Sequence, residues 1–138
     1  MTDTVAEAGG NAGCVFIVED DAAVRRSLAL YLQLQGYATR EYASAEDFLA
    51  AVPGERPACA LVDINLPGMS GLDLQAHMRQ QEADLPVLLM TARADRAMEQ
   101  QAREQGASDF LEKPINAREL LVAVRSALQG APSPLPRR

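Results

Sequence analysis

The stretch VFIVEDDAAV, residues 15–24, sets four apolar residues directly before Glu19, Asp20 and Asp21. Acids are poor strand formers, and three adjacent carboxylates repel one another. The apolar run therefore reads as a buried strand that stops at the acids, with a helix opening just after them. The question it raises is why a chain should crowd carboxylates at such a junction.

The same junction recurs along the chain. Short apolar runs at 14–18 (CVFIV), 38–42 (ATREY), 58–63 (ACALVD), 86–90 (PVLLM) and 109–112 (DFLE) alternate with helical patterns. Val24, Leu28, Tyr31 and Leu32 recur at helical spacing and Gly36 stops that helix. Phe48, Leu49 and Val52 follow a Ser44–Asp47 capping box, and Leu74 and Met78 mark a third helix over about 71–81. A fourth, 96–105, offers only Ala97, Met98 and Ala102 to a core. The fifth opens on an Asn116–Glu119 capping box and buries Leu120, Leu121, Val124 and Leu128.

Five βα units with short loops imply a parallel sheet covered by helices on both faces. Runs one, three and four are apolar almost throughout, whereas ATREY is half polar and suits an edge. The predicted fold is a flavodoxin-like, doubly wound, five-stranded α/β sheet of order 2-1-3-4-5 with five helices. Its topology reverses between strands one and three, where ligands bind at the carboxyl ends.

The chain has 138 residues, enough for one domain, with a net charge of −6 and no apolar run near the length of a membrane span. That charge argues against direct nucleic-acid binding. The segment MTDTVAEAGGNAG lacks the basic start and apolar stretch of a secretory signal, so a cytoplasmic location is expected. Residues 1–13 and 131–138 (APSPLPRR) read as unstructured, the latter as a tail or the start of a linker, leaving 14–130 as the domain. Cys14 and Cys59 have neither CxxC spacing nor a histidine cluster and read as buried thiols. His77, four residues after Asp73 on a helix, reads as half of a solvated pair.

At the switch point Glu19 and Asp20 meet Asp63, the acid that ends the third run. Like charges at close range cannot all stay ionised unaided, and a hard cation such as Mg²⁺ with oxygen ligands resolves the conflict. Asp21 reads instead as the cap of the first helix. The fourth run leads into Thr91-Ala92 and the fifth into Lys113-Pro114. Four strand ends thus supply an acid pair, an acid, a hydroxyl and an ammonium.

Those residues resemble the receiver domains of two-component response regulators over 14 to about 129, most nearly receivers that precede a helix-turn-helix output domain. The motifs are IVEDD, LVDINLPGMSG, LLMTA and DFLEKP. The resemblance implies that Asp63 is the phosphoacceptor and that Glu19, Asp20, Asp63 and the Asn65 backbone carbonyl hold Mg²⁺. It further implies that Thr91 and Lys113 contact the phosphoryl oxygens, that Thr91 and Phe110 form the switch, and that the Lys113–Pro114 bond is cis. Asn65 and Arg93, each two residues past a site residue, then tune the phosphoryl lifetime. Two departures stand out: Glu19 where Asp is commoner, and Ile115 where an aromatic is frequent.

The implied partner is a sensor histidine kinase or phosphotransfer protein, and the output a protein–protein face of the fourth helix, fifth strand and fifth helix. Phosphorylation-dependent dimerisation acting on a transcription domain outside this chain and docking as a stand-alone receiver both remain open. Beyond self-catalysed phosphotransfer and dephosphorylation, no enzyme activity is expected. A Mg²⁺-dependent aspartyl phosphohydrolase would place a second acid where Asn65 stands. A flavin or nucleotide carrier would need glycines in place of the acidic first loop.

Overall fold

The computed structural model describes residues 12–51, 53–81 and 84–130. The chain alternates strand and helix throughout: β1 (Cys14–Val18), α1 (Ala22–Leu34), β2 (Ala38–Tyr42), α2 (Ala45–Ala51), β3 (Ala58–Asp63), α3 (Gly71–Gln80), β4 (Val87–Thr91), α4 (Arg96–Glu104), β5 (Asp109–Glu112) and α5 (Ala117–Leu128). All strand pairings are parallel, in the order β2-β1-β3-β4-β5, as predicted.

The pleat divides each central strand between two cores, because successive side chains point to opposite faces. Phe16, Val18, Ala60, Val62, Leu89 and Phe110 face α2, α3 and α4, where Phe48, Leu74, Met78 and Ala102 meet them. Val15, Ile17, Leu61, Leu88, Met90 and Leu111 face α1 and α5, meeting Ala29, Leu32, Leu120, Val124 and Ala127. This two-sided cover explains why β1, β3 and β4 are buried along their whole length. β2 is half-buried and exposes Arg40, as an edge should. Cys14 and Cys59 are free, buried thiols on opposite faces of the sheet, which rules out a bond between them.

Helix starts follow the sequence closely. Asp21 caps α1 by accepting from the Ala23 and Val24 amides, Ser44 accepts from Asp47, and Asn116 accepts from Glu119. Gly36, with φ of 98°, provides the left-handed turn after α1. The C-terminal ends of α3 and α4 fall one residue before the predicted ones, with Gln81 and Gln105 as caps. β4 runs 87–91 and not 86–90, since Pro86 has no amide to give, while the Thr91 carbonyl accepts from Lys113 N–H.

One core expectation fails. Ala97 is exposed, because the Asp95 cap sets the phase of α4 so that Met98 and Ala102, one turn apart, face the sheet and Ala97 points about 100° away. Leu121 and Leu128 are half-buried beside the core that Leu120 and Val124 enter. Val52, expected in α2, lies outside the described residues, as do 1–11 and 131–138. Gly13, expected in the unstructured leader, is buried, and its carbonyl accepts from the Ala38 amide. Among the described residues two X-Pro bonds are cis, Lys113–Pro114 as expected and Arg56–Pro57 without any sign in the sequence. No described helix is long and apolar enough to cross a membrane.

Candidate functional site

The carboxyl ends of β1, β3, β4 and β5 converge on one spot, with β1 and β3 as direct neighbours at the topological reversal. There Glu19, Asp20 and Asp63 each present a carboxylate oxygen, and these oxygens all lie within 4.8 Å of one another. Glu19 is 1% exposed and Asp63 4%, while Asp20 stands open to solvent. Burial of Asp63 follows from its place in the middle strand; the Ile64 amide, one residue on, still bonds the Met90 carbonyl at 2.8 Å.

Lys113 reaches in from the end of β5. Its Nζ donates to Glu19 Oε1 at 2.7 Å and to Asp63 Oδ2 at 3.1 Å. Burial would depress the ammonium, yet its hydrogen bonds to Glu19 and Asp63, together with their charges, outweigh this and raise its pKa above the ordinary lysine value. Burial likewise pushes the Glu19 carboxyl up, against the lowering effect of the Lys113 and Asp21 hydrogen bonds. Proton release from Glu19 is thus disfavoured in the metal-free pocket.

A second set of contacts surrounds Asp63. Its Oδ1 accepts from the Asn65 amide at 3.0 Å. The buried Thr91 hydroxyl donates to Asn65 Oδ1 at 3.0 Å and accepts from the Arg93 amide at 3.3 Å. Arg93 itself is exposed. Phe110 pairs laterally with Leu89, two residues before Thr91, so Thr91 and Phe110 share the sheet face that carries α4. The structure thus brings Glu19, Asp20, Asp63, Asn65, Thr91 and Lys113 together, whereas His77 is exposed on α3 and Cys14 and Cys59 lie in the two cores.

Two supports were not anticipated from the sequence. Glu46, at the start of α2, accepts from the Met69 amide and lies 2.7 Å from where a Cβ on Gly68 would stand, clamping the loop that follows Asp63. Gly71 fits because a Cβ there would stand 2.4 Å from the Asp63 carbonyl oxygen. The glycine in PGMSG was a visible clue to close approach; the glutamate had none.

The donor set suits a hard divalent cation. Its side-chain oxygens are all carboxylate, and three carboxyl groups face a single ammonium among the described residues.

The model of the response regulator receiver domain family matches residues 15–125, and the chain belongs to that family. It is 35% identical over 119 residues to the transcriptional regulatory protein FixJ of Bradyrhizobium diazoefficiens, covering 86% of this chain and 58% of that protein. It is 40% identical over 119 residues to the transcriptional regulatory protein TdiR of Thauera aromatica, covering 86% and 52%. The crystal structure of FixJ-N superposes with a TM-score of 0.78 at 33% identity, over 91% of this chain and 97% of that one. The chain spans about half the length of the curated relatives it matches.

Proposed function

We propose that this receiver domain takes a phosphoryl group from a sensor histidine kinase or phosphotransfer protein onto Asp63. The observation that carries the reading is the Lys113 ammonium bonded to both Glu19 and Asp63 at the centre of a three-carboxylate cluster. Glu19, Asp20, Asp63 and the Asn65 backbone carbonyl are the groups that would hold Mg²⁺. Bound there, the ion neutralises carboxylate charge and the charge of an incoming phosphoryl group.

The chain's own residues do the rest by placement, since a carboxylate is a weak nucleophile towards phosphorus. An Asp63 oxygen attacks phosphorus in line, the P–N bond of the donor phosphohistidine breaks, and its electron pair returns to the imidazole. Lys113 shifts from its carboxylate partners to the phosphoryl oxygens. The Thr91 hydroxyl, now bonded to Asn65 Oδ1, turns to the same oxygens and leaves room on the α4 face for Phe110. Asn65 and Arg93 flank the path of the water that later hydrolyses the acyl phosphate, and so set its lifetime.

The output is a protein–protein face of α4, β5 and α5, formed by a population shift. α4 suits this role because Ala102 is its one fully buried residue. The relatives named transcriptional regulators favour control of a transcription domain, with residues 14–130 as the receiver and 131–138 as the start of a linker. The form proposed for that control is a phosphorylation-dependent homodimer in the cytoplasm. Incubation with acetyl phosphate and Mg²⁺ is expected to add one phosphoryl group by intact mass. Labelling that persists in Asp63→Asn, or in excess EDTA, overturns the assignment.

A further inference from the structure

Glu19 and Asp20 enter the site on the short loop between β1 and α1, and most of that loop is pinned. The Glu19 amide donates to the Tyr42 carbonyl at 3.0 Å, its Oε1 accepts from Lys113, and its Oε2 accepts from the Asp21 amide at 3.1 Å. Asp20 is different. Its side chain is exposed, and among the described residues no hydrogen bond holds its carboxylate. The direction of that carboxylate is therefore set by the backbone, chiefly by the peptide plane joining Glu19 to Asp20.

That plane has one external handle. Arg25, on the first turn of α1, donates from Nη1 to the Glu19 carbonyl at 2.7 Å, while its Nε lies 3.4 Å from Glu41 Oε1 on β2. The Arg25 side chain is 19% exposed and that of Glu41 23%. Glu41 also pairs with Arg26. A guanidinium is rigid and planar, so anchoring one edge on β2 fixes where the other edge can hold the carbonyl.

We infer that Arg25 is a positioning residue for the acidic pair: held by Glu41, it locks the Glu19–Asp20 peptide plane and thereby aims the Asp20 carboxylate at Glu19 and Asp63. The inference rests on the proposed Mg²⁺ reading of the site. Its sign separates it from a simple charge effect. A guanidinium beside a cation site repels the cation, so by charge alone its removal would tighten Mg²⁺ binding. Positioning predicts the opposite, since loss of the groups that orient metal ligands weakens affinity by about 10- to 100-fold.

The test uses the full chain, without phosphodonor. MgCl₂ is titrated against wild type, Arg25→Ala, Arg25→Lys and Glu41→Gln, followed by amide chemical shifts, with thermal melts as a check on folding. Arg25→Ala is expected to weaken the Mg²⁺ Kd about tenfold, Arg25→Lys nearly as much because a point charge lacks the second edge, and Glu41→Gln by a smaller factor. In the metal-free protein, hydrogen exchange at the Asp21 amide should quicken in Arg25→Ala and less so in Glu41→Gln. If Arg25→Ala does not fold, Glu41→Gln carries both measurements. Unchanged or tighter Mg²⁺ binding in Arg25→Ala, full rescue by lysine, or unchanged exchange at Asp21 overturns the inference. A wild type that fails to bind Mg²⁺ refutes the reading of the metal site instead, while the exchange measurement still decides whether Arg25 positions the loop.

Discussion

Replacing Lys113 with methionine keeps the length of the side chain and removes its charge. Two charge-assisted hydrogen bonds disappear, and Glu19 and Asp63 are left buried without their cation. Breaking a buried pair from one side costs about 3–5 kcal/mol. Lys113 keeps 21% of its side chain in solvent, which softens the loss to about 2–3 kcal/mol in metal-free buffer at pH 8. The pH dependence has a definite sign. Glu19 is raised in the folded state, so its own contribution is present below the ordinary carboxylate range and is lost as pH rises through the folded value. Lys113 is raised too, so its contribution is complete below the ordinary value of 10.5 and is lost only above it. The deficit of Lys113→Met should thus be largest from neutral to mildly alkaline pH and shrink as the pH falls, because burial makes Glu19 take up its proton more readily than an ordinary carboxylate. Urea unfolding with EDTA at pH 8 and pH 5, followed by far-UV circular dichroism because the chain has no tryptophan, measures both deficits. Saturating Mg²⁺ should recover part of the loss by binding the folded state. A deficit equal at the two pH values, or none at pH 8, refutes the reasoning.

Asp20→Asn should weaken Mg²⁺ binding more than Glu19→Gln, because Asp20 is open to solvent while Glu19 is committed to Lys113 and the Asp21 amide; isothermal titration gives the order, and the reverse order contradicts it. Gly71→Ala forces a methyl to within 2.4 Å of the Asp63 carbonyl oxygen and 2.8 Å of Ile64 Cα, an overpacking cost of about 1–3 kcal/mol, and should slow phosphorylation of Asp63. Gly36→Ala, strained only by its φ of 98° with open space around it, should lose stability by about 1–2 kcal/mol without changing the phosphorylation rate. Burial pushes the Cys14 thiol up to about 11 and the Cys59 thiol up to about 12, so neither should react with Ellman's reagent at pH 8 faster than the protein unfolds.

The sequence disclosed the fold because its strands are of two kinds. β1, β3 and β4 are covered on both faces and read as unbroken apolar runs, while the half-polar β2 reads as an edge. Caps at Asp21, Ser44 and Asn116 fixed where helices begin. The site was legible for a related reason: Glu19, Asp20, Asp63, Thr91 and Lys113 all stand at strand ends, where the chain position itself dictates where they meet. Supports that approach from the side were hidden. Arg25, Glu41 and Glu46 look like ordinary surface charges until the packing of α1, β2 and α2 brings them to a backbone carbonyl, a guanidinium and an amide. Ala97 was misplaced because α4, RAMEQQARE, offers few apolar residues from which to read a phase, and the Asp95 cap decides it.

β3 lies between β1 and β4 and is buried along its whole length, so the backbone that carries Asp63 has no free side towards which to yield. Its neighbours in the sheet are β1 on one side and β4 on the other, and β4 leads on to β5 and the face that carries α4. On the proposed function, chemistry and message would be carried by different parts of one sheet: the acids at the ends of β1 and β3, and the output face at α4, β5 and α5. Substitutions on the outer surfaces of α4 and α5 would then exchange one listener for another while the acids keep their places. A single chemical event would in this way be wired to many destinations by changing residues that never touch phosphorus.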